Sequence, residues 1–391
     1  MNAASSTLSD LSNFARFGWG LRDYLRQRLT LPQAEAIVRQ RLESREDNFL
    51  RMVERGVFGY PLSPYRPLLA LAGCELGDLR HMLRARGLEG TLLALREAGV
   101  YVSFEEFKGR QPIVRQGRVI EADARRFANP FTSHSYQGTS GGSTGAASRV
   151  DIDLEHVAAI CPGQMLFQAT HGMLGQPNLI WRGILPDGTG VSNVLVGTRL
   201  GNTPRKWFTP IGDTDTRREL KYRLANRAFV VLGRAYGARI PRPEPLPIQH
   251  AVEVARWAIA ARRRHGACVV RATASLSLRV CLAAADEGWS LEGVTFTGGS
   301  EPPTPAKVRR ITATGARWIP SYWFVEAGQI GGGCGHPQDG NDIHFMKDRL
   351  ALIQHPRQVP GWDITVPAFH FTSLIPTTPK LLLNVESDDY G

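Results

Sequence analysis

Long apolar runs are missing from this sequence. No uninterrupted stretch reaches the roughly 18 residues that a membrane-spanning helix needs, so no transmembrane segment is expected. Cysteine is scarce: five residues, Cys74, Cys161, Cys268, Cys281 and Cys334. The number is odd, the spacing is wide and no CxxC pair occurs. That argues against a disulfide framework and for a reducing compartment, the cytoplasm. The opening residues, MNAASSTLSDLSNF, hold no basic stretch followed by an apolar core, so no secretory leader is expected. Blocks of like charge are absent too, Arg262, Arg263 and Arg264 being the only tight triplet. The formal charge of +11 is therefore spread over the surface, where it suits anionic partners such as nucleotides or coenzymes. No RNP-like aromatic sequence or zinc knuckle is present, and nucleic acid is not an expected partner. No internal repeat is visible.

What is present is an ordinary globular composition, 42% apolar and 21% charged over 391 residues, long enough for two or more domains. Residues 19–60 have helical spacing, with Ile37, Leu42, Phe49, Leu50 and Val53 as apolar positions. GDLRHMLRARG and GTLLALREAG are short helical pieces, each ended by a glycine. VYVSFEEF alternates like a strand. Residues 1–130 are thus expected to be a helix-rich region packing on a core.

After residue 130 the pattern changes. LEHVAAICPGQMLFQAT predicts a buried helix, and NLIWRGIL and VSNVLVGT predict strands. Residues 218–236 and 248–264 predict helices, followed by strand CVVRATA, helix LSLRVCLAAADEG, strand GVTFTG, helix PAKVRRITATG and strand ARWIPSYW. Strands alternating with helices of ten or more residues predict an α/β core over residues 131–391, with mixed, largely parallel sheets flanked by helices.

Three small-residue stretches stand out within that core. GTSGGSTGAAS (138–148) offers exposed amides and hydroxyls. It fits either a linker or an anion nest, but neither a Walker A loop nor GxGxxG. TFTGGSEPPT (295–304) is a strand end followed by a turn with one acid. SYWFVEAGQIGGGCG (321–335) is an aromatic strand end followed by Glu326 and glycines. Loops of this kind at strand ends are how an open α/β sheet builds a ligand crevice.

Taken in order, these stretches resemble the adenylate-forming (AMP-binding) superfamily, which activates carboxylates with ATP. The nearest likeness is to the phenylacetate-CoA ligase and coenzyme F390 synthetase-like branch. GTSGGSTGAAS is similar to the family's phosphate loop, TGGSEPPT to its Gly-Glu-Pro-Leu-Thr turn and SYWFVEAG to its Tyr-Gly-x-Thr-Glu motif. NVESDDYG resembles the segment whose aspartate holds the ribose hydroxyls. The likeness runs over most of residues 60–391. It implies the N-terminal core of an adenylate-forming enzyme with a helical N-terminal region, and an acyl-adenylate made with release of pyrophosphate.

By position, the resemblance assigns Ser140, Gly142, Ser143, Thr144 and Gly145 to the ATP phosphates, Thr144 also being catalytic. Gly299, Ser300, Glu301 and Pro302 would line adenine and ribose. Tyr322 would stack on adenine, Glu326 would ligate Mg²⁺ and act in catalysis, and Asp389 would accept from the ribose. A carboxylic acid is the implied substrate, and CoA or a carrier protein the implied acyl acceptor. A homodimer is compatible. The C-terminal lid domain that such enzymes carry is absent from this chain, so it is expected in cis beyond the chain or in trans.

The sequence also departs from the family. Ala147, Ser148 and Arg149 stand where many relatives carry a lysine, Trp323 replaces a small residue, and Val325 replaces a threonine. Some relatives in this branch hold a structural metal near Cys334 and His344, so Zn²⁺ on those residues is a further option. Plainer readings stand beside these. Cys334, His336, Asp339, Asp342 and His344 fit a polar loop with Asp342 starting a helix, and Glu301 fits a cap on the helix near Thr304. Of Tyr322, Trp323 and Phe324, one at least belongs in the core. His171 fits a hydrogen-bonded structural residue as well as a pocket wall. Arg271, Thr273 and Ser275 follow a strand, and lining the acyl or nucleotide side is an option for them. An unrelated nucleotide-binding transferase and a non-catalytic basic RNA- or partner-binding module remain the rival functions.

Overall fold

A computed structural model describes residues 16–121, 123–132, 135–139, 149–210, 217–340, 342–359 and 361–391, without the side chains of 135–139, 149–152 and 217–221. In chain order its strands are β1 (Ile113–Arg115), β2 (Arg118–Ile120), β3 (Ser135–Thr139), β4 (Arg149–Asp153) and β5 (Asn178–Trp181). Next come β6 (Lys206–Thr209), β7 (Pro243–Pro245), β8 (Cys268–Arg271), β9 (Val294–Gly298) and β10 (Arg317–Phe324). The last are β11 (Gly328–Gly333), β12 (Ile343–Phe345), β13 (Leu350–Gln358), β14 (Thr365–Ser373) and β15 (Val385–Tyr390). The chain divides into two units, Met1–Ala36 with Ser133–Phe345, and Ile37–Thr132 with Met346–Gly391.

The first unit is built on an eight-stranded sheet of order β12-β11-β10-β9-β8-β5-β6-β7. From β10 to β7 every neighbour is parallel, while β11 and β12 add antiparallel strands at one edge. The expected mixed, largely parallel sheet is therefore present. Helices cover both faces, as parallel strands buried on two sides require. One face packs Ile180 and Trp207 against helices Leu154–Thr170, Thr189–Arg199 and Arg217–Ala235. The other packs Leu179, Trp181, Val270 and Phe296 against helices Ala251–His265 and Ala274–Asp286 and against Ile311.

Strand order sets where this sheet can hold a ligand. The chain runs from β5 outward through β6 and β7. It then returns to pair β8 against the other side of β5 and runs outward again through β9 and β10. The direction of growth reverses between β5 and β8.

One predicted strand of this unit is a helix. VSNVLVGT forms the middle of helix Thr189–Arg199. Its buried positions Val191, Val194, Leu195 and Thr198 fall at i, i+3, i+4 and i+7, a helical stripe that outweighs the β-branched composition. Separately, β3 and β4 form an antiparallel pair in register from Ser135↔Asp153 to Thr139↔Arg149, on either side of the glycine-rich run.

The second unit carries the antiparallel sheet β13-β14-β15 and helices Arg45–Val53, Tyr65–Leu71 and Leu76–Glu97. Leu76–Glu97 joins the two predicted helical pieces through Gly87, whose φ of 68° departs from helix geometry. VYVSFEEF is not a strand either: Ser103 and Glu106 form a capping box that starts helix Phe104–Phe107. Buried Asn384 ties this unit together, its side-chain amide donating to the carbonyls of Leu92 (2.8 Å) and Val100 (3.1 Å). Among the described residues no helix is long and apolar enough to cross a membrane.

Candidate functional site

In an open parallel sheet, ligands bind outside the carboxyl ends of the strands where the strand order reverses. Here those ends are Arg182 just after β5, Arg271 at the end of β8, and the loop Gly299–Pro302 after β9. The turn after β10 carries Glu326.

Crowding between strands shapes the loop after β9. A Cβ on Gly298 would lie 1.7 Å from the Ala272 carbonyl oxygen, and one on Gly299 would lie 2.0 Å from that of Ser321. Neither position tolerates a side chain, so this backbone is wedged between the ends of β8 and β10. Ser300 follows with φ 74°, a left-handed conformation that costs a non-glycine residue energy and needs surrounding contacts to persist. Arg182 supplies some of them: its Nη1 donates to Ser300 Oγ (3.4 Å) and its Nη2 to the Ala272 carbonyl (3.1 Å).

Glu301 is the clamp of the same loop. Its carboxylate accepts from the Ser275 amide (2.5 Å), the Ser275 hydroxyl (2.6 Å) and Lys307 Nζ (3.0 Å). Burial alone would raise its pKa, but the two Ser275 bonds, Lys307 and Thr273 outweigh it and hold the carboxyl at about 2. Glu301 therefore does cap a helix, but Ala274–Asp286 rather than Pro305–Thr312. The latter is capped by Thr304, whose hydroxyl accepts from Lys307 N. Pro302 is exposed beyond the clamp.

On the neighbouring strand, Tyr322 and Phe324 stand on one face, their rings 6.0 Å apart and edge to face. Trp323 turns to the other face, where it donates to Ser321 Oγ and packs on the core. A bulge between Tyr322 and Trp323 interrupts the register with β11. Residues 325–327 form a tight turn closed by Gly328 with φ 82°, the left-handed position that a three-residue hairpin loop requires. Glu326 lies in this turn and is buried.

Glu326 can offer a hard cation one carboxylate. No group of three or more metal-ligating side chains occurs among the described residues. A Mg²⁺ ion held there would complete its shell with phosphate oxygens and water, its usual arrangement. Zinc is a different matter. His344 Nε2 approaches Cys334 Sγ at 3.2 Å, but the second contact to that sulfur is the backbone N–H of His336, not a ligand. Two side chains do not make the four-ligand site that structural zinc needs, and zinc at Cys334 and His344 is not supported. Asp342 leads into β12, not a helix, with its carbonyl accepting from Cys334 N (2.9 Å). His171 Nε2 donates to the Gly333 carbonyl (2.9 Å), a structural bond. Burial lowers the pKa of that ring.

Of the candidates named from sequence, Gly299, Ser300, Glu301, Pro302, Tyr322 and Glu326 thus share adjacent strand ends of the first unit. Asp389 is exposed near the end of β15 in the second unit. Ser140, Gly142, Ser143, Thr144 and Gly145 lie outside the described residues. Sequence reasoning passed over Arg182. Its signal was weak: an arginine directly after a four-residue buried strand, NLIW.

No protein-family model matches the chain, and no curated protein does. Solved structures do. Over 93% of its length the chain matches 2-hydroxyisobutyryl-CoA ligase in the postadenylation state in complex with 2-HIB-AMP, with a TM-score of 0.54 and 14% identity. The same enzyme in the thioesterification state, in complex with 2-HIB-AMP and CoA, matches over 90% with a TM-score of 0.54 and 15% identity. Its open conformation matches over 91%, with a TM-score of 0.52 and 13% identity. The chain spans 63–64% of the length of these structures. The chain thus has the fold of these ligase structures. The enzyme they show is a CoA ligase.

Proposed function

We propose that this chain is the nucleotide- and acid-binding core of an ATP-dependent ligase. The enzyme would convert a carboxylic acid to an acyl-adenylate with release of pyrophosphate, then pass the acyl group to CoA or another thiol or amine. The observation that carries this reading is the meeting of the Gly299–Glu301 loop with Tyr322 and Glu326 at neighbouring strand ends, beside the strand-order reversal. The fold likeness to a CoA ligase supports it.

On this reading the Gly299–Pro302 backbone lines one side of the nucleotide, held in place by the Glu301 clamp. Tyr322 offers its ring to the base. Glu326 is the residue that would hold Mg²⁺, which supplies charge neutralisation at the phosphates when bound. Ser140, Gly142, Ser143, Thr144 and Gly145 supply amide and hydroxyl donors to the phosphates, and Asp389 an acceptor for the ribose. A carboxylate is already a nucleophile, so the chain needs no general base for the first step. Its part is positioning and charge stabilisation. A lid domain in cis or trans completes the enzyme. A place in the phenylacetate-CoA ligase-like branch and a cytoplasmic setting belong to the same proposal.

Nucleotide binding by the chain alone tests it. AMP and ATP–Mg²⁺ should bind by titration calorimetry, and Tyr322→Ala should weaken AMP about tenfold, the usual worth of one base–aromatic stack. Glu326→Gln should remove the Mg²⁺ dependence of ATP binding and spare AMP. Absence of nucleotide binding, or affinity untouched by both Tyr322→Ala and Asp389→Ala, would overturn the reading.

A further inference from the structure

Arg182 and Arg271 meet at the strand-order reversal, and among the described residues neither has an ion-pair partner. Arg271 is in register with Ile180 on β5 and Thr297 on β9, so its side chain leaves the sheet on the same face as theirs. Arg182 lies two residues beyond Ile180 and is still hydrogen-bonded in the sheet through its amide to Phe208 O (3.0 Å), so it shares that face. Its guanidinium crosses the β5–β8 junction to the carbonyl of Ala272, the residue after Arg271.

Both guanidiniums are partly withdrawn from water, and the acids nearest Arg182, Asp187 and Glu301, act on it without forming an ion pair. Among the described residues no carboxylate lies within ion-pair distance of either, and Arg271 makes no side-chain hydrogen bond. The nearby acids are otherwise engaged: Glu301 is saturated by Ser275 and Lys307, and Asp187 accepts from Thr189 N (3.1 Å). Among the described residues, Arg182 Nε is buried with no hydrogen-bond partner. Burial, and then the charge of Arg182, lowers the pKa of Arg271 to about 10. Two like charges without a counter-ion are costly in a folded protein and persist where an anion is to be bound. The guanidinium fork suits a planar carboxylate bidentately.

The reacting carboxylate is not that anion, because a carboxylate paired with two guanidiniums is a poor nucleophile. The nucleotide is not the favoured occupant either. Its expected lining comes after β9 and lies on β10, whereas Arg271 ends β8 and Arg182 comes after β5. We propose that Arg182 and Arg271 form a carboxylate subsite at the β5–β8 reversal, and that the acid activated by this enzyme is a dicarboxylate held there by its distal carboxylate. The proposal rests on the adenylation reading for the fate of the other carboxylate.

Calorimetric titration of the chain, saturated with AMP, against pairs of acids matched in length tests it: butyrate against succinate, hexanoate against adipate, benzoate against phthalate. At least one dicarboxylate should bind about tenfold or more tighter than its monoacid partner, the worth of one charge-assisted bidentate contact. Arg271→Met should erase that preference while leaving AMP affinity within about twofold, and Arg271→Lys should keep part of it. The methionine variant has the length of the arginine stem and sheds an uncompensated charge, so its unliganded melting temperature should equal or exceed that of the parent. Equal affinity for monoacids and diacids, or no acid binding, overturns the proposal. So does an Arg271→Met variant that loses AMP as strongly as diacid, which would give the arginines to the nucleotide phosphates. AMP binding by the parent chain separates this from the broader reading. Diacid preference without AMP binding overturns the adenylation reading alone, and AMP binding without diacid preference overturns the subsite alone.

Discussion

Glu301→Gln removes one charge from the clamp and leaves its shape. In the parent the carboxylate holds three donors, the Ser275 amide, the Ser275 hydroxyl and Lys307 Nζ, at 2.5, 2.6 and 3.0 Å. Its pKa falls from 4.5 to about 2 on folding. A shift of that size corresponds to about 3 kcal/mol of linkage when fully expressed. The side chain keeps 25% of its surface exposed, so solvent screening reduces the expected value to about 2 kcal/mol. A depressed carboxyl contributes stability above its unfolded pKa, and that contribution fades as pH falls from 4.5 toward 2. Urea unfolding of parent and variant should therefore differ by about 2 kcal/mol at pH 7, with the gap closing as pH is lowered toward 2. Lys307→Met added to the variant should cost less than it does in the parent, because the two residues share one network. Equal stability at pH 7, or a gap that stays constant down to pH 2, would refute the account of Glu301 as a charged clamp.

Packing sets two further outcomes. His370 is fully buried on β14, with Arg96 Nε donating to its Nε2 (3.2 Å). Burial, then Arg96, His355 and Arg357, lowers its pKa to about 4, although Glu386 stands 3.7 Å away. The unfolded chain therefore takes up a proton that the folded one refuses, and stability should fall by about 3 kcal/mol as pH drops from 6.5 to 4. His370→Gln should flatten that part of the urea-unfolding pH profile, and an unchanged slope would count against the assignment. Gly298→Ala should cost about 3 kcal/mol or more in a thermal melt, since its Cβ would sit 1.7 Å from the Ala272 carbonyl. Gly77→Ala, a helical position with open space around it, should be neutral or stabilising by about 0.5 kcal/mol. Similar effects at both glycines would show that the crowding at β9 is unimportant.

Much of the local structure was legible in the residues. Strands β5, β8, β9 and β10 and the helices between them come from apolar runs bounded by glycine, proline and capping residues. The failures have local causes too. VSNVLVGT reads as a strand by composition, yet its buried residues keep helical spacing. VYVSFEEF alternates, yet Ser103 and Glu106 close a capping box. Glu301 lies three residues before the helix cap Thr304, but its carboxylate serves a different helix, because Ser275 is brought to it by the pairing of β8 with β9.

Sequence by itself determined most of the element types, the small-residue loops at strand ends and the choice of Gly299–Pro302, Tyr322 and Glu326 as candidates, since each depends on neighbours along the chain. Only the tertiary structure decided that β8 returns to pair with β5. A run of alternating strands and helices is compatible with several strand orders, and the choice among them lies in long-range pairing and packing. That choice brings Arg182 to the residue after Arg271, with no ion-pair partner for either among the described residues. Eighty-nine positions of chain separate the two arginines, so no local pattern contains their meeting.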